Sequence, residues 1–494
     1  MHLVKSLFKL SIPVMLQSVI FFLNQIVNLY FSGYDSNPAV VAGVGLGSTF
    51  INVAYFGVCF GLNGVLQSLV SQAMGADNHR LSGIYVNRGR FVISLWLPIV
   101  IFFTLFLGKA FISIGIDDET ANVAQNYTVR MIPGLIAYMY YDIARQYLIA
   151  LGQPMIAFYI QVVTALFHIV FCFICIEKFQ LPYYYTSYST SLQFMSNAII
   201  IHLILLLNSQ YKKSWFLGGM ETFQNLGEYT KLAIPSAIML CIEFAGFEIL
   251  CIVSGFISVP ANAAQVIALS INGMFYMIPA GISQATTTII GKLIGQQQSR
   301  IAKAQSCYII KICYIFSLIM GGILFISRYH LARLFSSNIQ VTEITQNAIK
   351  ISCFSHMLDF VYGVQLGTAR ALTKFNHAVF GGIVAFYIFA CPLGSLLALQ
   401  FKFGVFGLWI GLIVGQLIVV SYFQYLLSWG FDWDQITQKC FERQQADNKN
   451  LLTDNENAKC FYKNKILEIM QVEQSSLEIP EKFENRSIKD LFQA

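Results

Sequence analysis

Charge is what this sequence has least of. Only 11% of its 494 residues are Asp, Glu, Lys or Arg, against about 25% in soluble globular chains. A chain of this size with so few charges cannot present a water-compatible surface, which excludes a soluble enzyme and points to the lipid bilayer. Other absences narrow the field. There is no phosphate-cradling Gly-x-x-x-x-Gly-Lys loop, so the chain does not hydrolyse ATP; a dinucleotide fingerprint and a Gly-x-Ser-x-Gly elbow are also missing. Its eleven cysteines are scattered, mostly within apolar runs, and imply no disulfide framework. Cys172 and Cys175 form a Cys-x-x-Cys, but inside an apolar run, where they read as small apolar residues rather than as a redox or zinc site. The first apolar run lacks an Ala-x-Ala cleavage signal and reads as a retained helix.

What is there is hydrocarbon: 56% of the residues are hydrophobic. They gather into twelve runs, near residues 10–32, 47–70, 91–113, 124–148, 155–177, 190–208, 232–257, 264–290, 306–327, 345–369, 377–399 and 404–429. About 20 residues of helix cross the roughly 30 Å of a bilayer core. The expected fold is an all-α membrane protein of twelve transmembrane helices.

The few charges set the orientation. From Asp432 onward there are 12 acidic and 9 basic residues, which leaves 13 acidic and 22 basic for residues 1–431. The basic ones fall in alternate connections: Lys5 and Lys9; Arg80, Arg88 and Arg90; Lys212 and Lys213; Lys292, Arg300 and Lys303; Arg370 and Lys374. The opposite connections hold Asp35, then Asp117, Asp118 and Glu119, then Glu343, with Arg328 and Arg333 dissenting. Basic connections stay in the cytoplasm, so both termini are expected there. The basic excess reports topology, not nucleic-acid binding.

The chain repeats itself. Leu10-Ser11-Ile12-Pro13 returns as Leu232-Ala233-Ile234-Pro235, and Gly33 as Gly255, both at an offset of 222. Gly75 with Arg80 returns as Gly295 with Arg300, at an offset of 220. Six spans per repeat is an even number, so both repeats insert the same way up, related by an axis along the membrane normal. The division expected is a lobe over 1–208, a cytoplasmic linker over 209–230, a lobe over 231–430 and a mobile cytoplasmic tail over 431–494, with an amphipathic stretch near Lys465–Val472. A solute site near the midplane between such lobes is the ordinary consequence. Pro235 and Pro279, each in a span expected to line the cavity, are candidates for functional bends.

Four acids sit inside apolar runs: Asp142, Glu243, Glu248 and Asp359. An ionisable group in hydrocarbon costs about 2.5–3.5 kcal/mol on insertion scales, and such residues mark pathways for ions or solutes. Asp142 lies three residues before Arg145 and shares its helix face, so a mutually neutralising pair is expected. Glu243 and Glu248 lie five residues apart, about 140° around a helix, and cannot both face one narrow cavity. Neither they nor Asp359 have a basic residue within a turn. Desolvation disfavours the charged form of an unpaired carboxyl, so each is a candidate to bind a proton or a cation. His356, one turn before Asp359, reads as a packing residue. Asn24, Gln25 and Asn28, then Gln67 and Ser68, then Ser270 and Asn272 add uncharged polar groups. Interhelical hydrogen bonding explains any one of them; together they suit a wet cavity. Phe244, Phe247, Tyr276 and Tyr362 near the acids would suit an organic cation, although 42 Phe and 25 Tyr make chance proximity common. Asn126-Tyr127-Thr128 is a glycosylation sequon close to a span.

The order of several short pieces resembles the multidrug and toxic compound extrusion (MATE) family, in its eukaryotic branch, over residues 7–430. The pieces are Ala42-Gly43-Val44-Gly45-Leu46-Gly47, Ser71-Gln72-Ala73-Met74-Gly75-Ala76, Pro235-Ser236-Ala237, Glu243-Phe244-Ala245-Gly246-Phe247-Glu248, Tyr276-Met277-Ile278-Pro279-Ala280-Gly281, and His356-Met357-Leu358-Asp359 with Gly367 and Arg370. The resemblance implies two six-helix lobes around a V-shaped cleft, and export of organic cations or amphiphiles against inward protons or sodium, protons being favoured. It carries proton- and substrate-binding roles onto Glu243, Glu248, Asp359 and Tyr276, with Asn28, Gln67, Ser270 and Asn272 as weaker cleft lining. It also exposes departures. Gln67 and Ser270 stand where relatives carry acids, Phe244 and Ala245 where tryptophans occur, and Asn28 where prokaryotic relatives have Asp. Coupling is therefore expected in the C-terminal lobe. A monomer is expected, in the plasma membrane or an endomembrane, without cofactor or metal. Two rivals remain: a lipid-headgroup flippase, which would want a basic cleft, and a membrane-embedded transferase, for which Asp117-Asp118-Glu119 is the nearest acidic motif.

Overall fold

Capping residues set where the helices begin. In a computed structural model of the chain, which describes residues 2–35, 37–336 and 338–449, Asn37 accepts from the Ala39 amide at 3.0 Å, Asn78 from Leu81 at 3.0 Å, Asp117 from Thr120 at 2.8 Å and Asn338 from Gln340 at 2.9 Å. Each satisfies an amide that a helix start leaves without a partner. Apolar sequence then carries the helix onward, because in hydrocarbon every backbone group must be paired within its own segment.

Twelve long helical segments result. We number them α1 (His2–Ser32), α2 (Pro38–Gly75), α3 (His79–Leu105), α4 (Asp118–Leu151), α5 (Pro154–Lys178), α6 (Tyr185–Leu207), α7 (Leu226–Gly255), α8 (Val259–Gly295), α9 (Ser299–Phe335), α10 (Ile339–Ala371), α11 (Phe375–Gln400) and α12 (Gly404–Gly430). No strand occurs among the described residues. Ten of the twelve are long and apolar enough to cross a membrane. The other two, α4 and α10, are 34 and 33 residues long but carry Asp142 with Arg145 and Asp359 with Arg370. From Tyr141 to Ala150 every residue of α4 is buried, as are those of α10 from Asp359 to Ala369. Helices wrapped by other helices can hold polar groups that lipid would reject.

The buried apolar side chains form two large clusters. One draws on residues 40–215 with Tyr229, Ala233 and Ala237 from the first half of α7 and Phe375 from the start of α11. The other draws on residues 239–440 with Leu7 and Leu10 from the start of α1. α8 and α10 share the longest contact; α1 and α2 both pack against α8, and α2 also against α7.

The polar segments pack as well. In the 209–230 linker Tyr211, Ser214 and Trp215 are buried, Arg90 lies over the Trp215 ring at 4.2 Å, and the Tyr147 and Ser214 hydroxyls meet at 2.6 Å. The segment after the last span begins as a packed helix. Residues 433–442 are helical, with Trp433, Ile436 and Cys440 buried. Apolar residues at spacings of three and four give that turn a face to bury. The stretch at Lys465–Val472 lies outside the described residues.

Candidate functional site

Two acids far apart in sequence, Glu243 and Asp359, come within electrostatic range of each other inside the C-terminal half. Glu243 sits midway along α7 and points at α8, where the Tyr276 hydroxyl donates to Oε1 at 3.5 Å. Asp359 of α10 lies within electrostatic range of Glu243, as do Tyr276, Tyr362 and, from the far turn of α10, Arg370. Glycine makes the room: a Cβ at Gly363, one turn from Asp359, would stand 3.3 Å from the Tyr276 hydroxyl. Ser283 of α8 donates to the Gly363 carbonyl at 2.6 Å and clamps the two helices there.

One oxygen of each carboxyl, Oε2 of Glu243 and Oδ1 of Asp359, is buried without a partner among the described residues, and so are both ring nitrogens of His356. Buried polar groups are ordinarily hydrogen-bonded. An orphaned oxygen on each of two neighbouring carboxyls is what a site needs if it is to take up protons, cations or water. No basic residue lies within a turn of either acid on its own helix, but Arg370, further along α10, lies within electrostatic range of Glu243.

Glu248 behaves differently. It is exposed, on the side of α7 that carries Phe244 one turn earlier, and the Phe244 ring lies 3.5 Å from where a Cβ at Gly57 of α2 would stand. It therefore does not share the face of Glu243, as the 140° rotation between them required.

The structure scatters the four weaker candidates. Asn28 lies in an uncharged nest in the N-terminal half, donating to Thr190 Oγ1 at 2.8 Å and Tyr127 at 3.3 Å, while its Oδ1 meets His168 Nε2 at 3.0 Å. Asn272 joins α8 to Ser352 of α10 at 2.9 Å, and Ser270 only bonds back to Val266 of its own helix. Gln67 is buried and ties α2 to α8 through the Gln284 carbonyl at 2.8 Å and Thr288 at 3.1 Å. Asp142 is the expected neutralised group, bound by Arg145 at 2.6 Å and Asn63 at 2.6 Å. Cys172 and Cys175 are free thiols, and no group of three or more metal-ligating side chains occurs among the described residues. Asp117-Asp118-Glu119 is the start of α4, where the Thr120 amide holds the Asp117 carboxyl below the usual range.

Sequence reasoning missed His168, a lone imidazole in an apolar run with no local partner to betray it. It also missed an aromatic trio in the N-terminal half. Phe21, Phe56 and Tyr138 are in mutual ring contact at 4.8, 5.0 and 5.5 Å. The offset of 222 that relates Pro13 to Pro235 carries Phe21 onto Glu243, and the offset of 220 that relates Gly75 to Gly295 carries Phe56 onto Tyr276. The caps Asp117 and Asn338 differ by 221, which carries Tyr138 onto Asp359. The acid cluster and the aromatic trio occupy equivalent places in the two repeats, so the repeats have kept their geometry and diverged in chemistry.

The comparisons with known proteins agree with this duplication. The MatE family model matches twice, over residues 13–174 and 235–396, and the two matches start 222 residues apart. Protein DETOXIFICATION 6 of Arabidopsis thaliana is 28% identical over 433 residues, covering 86% of this chain and 89% of that protein. Protein DETOXIFICATION 14 of the same plant is 26% identical over 424 residues, covering 82% and 84%. Among solved structures, the eukaryotic MATE transporter AtDTX14 shares the fold at a TM-score of 0.85 and 24% identity, over 90% of this chain and 99% of that one. An outward-facing multidrug resistance MATE family transporter of the MOP superfamily matches at a TM-score of 0.77 and 17% identity, over 89% and 96%. This chain belongs to the MatE family: it is an integral membrane transporter and not an enzyme.

Proposed function

We propose that the chain is a secondary antiporter that exports organic cations or amphiphilic metabolites in exchange for protons, by alternating access. It works as a monomer of two six-helix lobes, residues 1–208 and 231–430, all twelve helices spanning the membrane and both termini cytoplasmic. Glu243 and Asp359 take up a proton from outside, which neutralises the site and releases a cationic solute. Loss of the proton toward the cytoplasm restores the negative charge that captures the next solute. Tyr276 orients Glu243, and Glu248 meets the solute on a different face of α7. Asn28, Gln67 and Asn272 hold helices together, Ser270 bonds within its own helix, and none of the four carries a coupling role in this reading.

The observation that supports this reading is a pair of carboxyls from α7 and α10 within electrostatic range, each with a buried oxygen lacking a partner among the described residues. Like charges so placed cannot both ionise cheaply in a low dielectric, so a proton or a cation must shuttle between them. The basic cleft a lipid-headgroup flippase would want is not supported here, since the titratable groups grouped around Glu243 are acids and tyrosines apart from Arg370. The test is uptake of a fluorescent organic cation into vesicles, with pH and sodium gradients imposed separately. Wild type should respond to the pH gradient, and the Glu243→Gln, Asp359→Asn double variant should not. Full gradient-driven uptake by that variant would remove both residues from the mechanism.

A further inference from the structure

The two repeats meet along a tight seam that runs from mid-bundle to the end where α1 begins. Gly75 of α2 lies against the Lys292 backbone of α8, and Gly295 against the Gln72 backbone; a Cβ at either glycine would overlap its neighbour. Gly75 and Gly295 are equivalent in the two repeats, and so are Gln72 and Lys292, each pair 220 residues apart. The crossing is therefore a pseudo-symmetric handshake. Hydrogen bonds reinforce it: Ser236 to the Gly61 carbonyl at 2.6 Å, Thr288 to Ile149 at 3.2 Å, and the Lys292 ammonium to the last carbonyl of α4, Leu151, at 2.9 Å.

One side chain in this seam has a third participant. The Gln72 amide donates to the Ala371 carbonyl of α10 at 2.7 Å, which joins the two repeats. Its oxygen accepts from Cys440 Sγ at 3.3 Å. Cys440 belongs to the helix that follows the last span. That helix is fixed to the C-terminal half by Trp433, whose indole donates to Leu427 at 3.2 Å, by a hydrogen bond between Asp434 and Ser299 at the start of α9, and by the burial of Ile436. Cys440 is where it crosses to the N-terminal half.

We propose that the helix beginning at residue 433 is a latch on the closed end of the transporter. It grips, through Cys440, the same amide that ties α2 to α10, so the seam cannot part until that grip is released. The latch rests on the alternating-access reading above, in which this end must open once per cycle. The contact on the Gln72 amide comes from a thiol, a weak donor, on a helix anchored to the C-terminal half, so that contact can release while the helix stays seated there.

Two experiments on the full chain in vesicles test it. In a Gln72→Cys variant, a short bifunctional methanethiosulfonate should join position 72 to the native Cys440. Joining should abolish pH-gradient-driven uptake of a fluorescent cation, and reductant should restore it. The Gln72→Cys, Cys440→Ser variant should show neither effect under the same reagent. Separately, Cys440→Ala should raise the rate at which a membrane-impermeant maleimide labels a Ser71→Cys thiol by roughly threefold or more, the scale of one weak hydrogen bond. Full transport by the joined protein, failure of the two thiols to join, or unchanged labelling at position 71 would each overturn the latch. If wild type itself shows no gradient-driven uptake, it is the antiport reading that fails, and the labelling experiment still judges the latch.

Discussion

At the scale of single residues, the five charged groups Asp142, Arg145, Glu243, Asp359 and Arg370 sort by what each finds in the fold. Asp142 finds everything it needs. Arg145 lies in the same turn and Asn63 reaches over from α2, so both carboxyl oxygens are bound and the pair is structural. Breaking such a pair leaves a lone buried charge, which costs about 3–5 kcal/mol. Arg145→Ala should therefore lower the thermal unfolding midpoint in detergent sharply, while an Asp142→Leu, Arg145→Met double variant recovers much of the loss. An Arg145→Ala midpoint equal to wild type would show that the pair contributes little. Glu243 and Asp359 lack such partners, and that is why they are candidates for chemistry. Tyr276 sits between these cases. Its 3.5 Å contact to Glu243 is long, and a typical hydrogen bond is worth only about 0.5–1.5 kcal/mol net. Tyr276→Phe should keep transport within about tenfold of wild type, as initial-rate measurements would show; complete loss would make the tyrosine a carrier of the proton rather than an orienting group.

At the scale of elements, helix ends and glycines decide what packs. α2 has 38 residues where its counterpart α8 has 37. The surplus residue coincides with a π-helical turn at Asn52–Gly57, which α8 lacks. Such single-turn bulges absorb an insertion without breaking the helix, so Gly75 and Gly295 still meet in register. After each of these glycines the chain turns through a left-handed residue, Asp77 in one repeat and Gln297 in the other. The glycines admit backbone to backbone, and a branched side chain would act as a wedge. Gly75→Val and Gly295→Val should each weaken the closed seam, seen as faster maleimide labelling of a Ser71→Cys thiol. The two variants should behave alike, because the contacts are equivalent. Labelling no faster than in the glycine parent would mean the seam tolerates the side chain by local adjustment. Pro13, Pro98, Pro133, Pro235 and Pro279 lie within continuous helices, so none of them ends its element.

At the scale of the whole molecule, duplication followed by divergence leaves the two repeats with different chemistry at equivalent places. The places of Glu243, Tyr276 and Asp359 are filled in the other repeat by Phe21, Phe56 and Tyr138, packed ring to ring. Carboxyls can change charge during a cycle, whereas phenyl rings only pack. Phe56→Ala should thus destabilise the fold by about 3–5 kcal/mol, as expected for a buried aromatic, yet leave the response to a pH gradient intact in the protein that folds. A Phe56→Ala protein that is stable but uncoupled would place part of the coupling in the N-terminal half. That asymmetry matches the single observation on which the antiport reading stands.

Much of this was legible in the sequence because its causes are local. Hydrocarbon content dictates helices across a bilayer, the repeat at 222 residues dictates duplication, and a carboxyl in an apolar run dictates a functional or paired group; Asp142 with Arg145 could be paired on paper because three residues on a helix share a face. Tertiary structure alone decided the rest, since it concerns groups from different helices. Only packing brings Asp359 and Arg370 of α10 within electrostatic range of Glu243 of α7, ties Gln67 to α8 in the seam, and makes the first turns after the last span a packed helix. Side chains that meet across a hundred residues or more leave no periodicity to read, because their meeting depends on how whole helices rotate against one another.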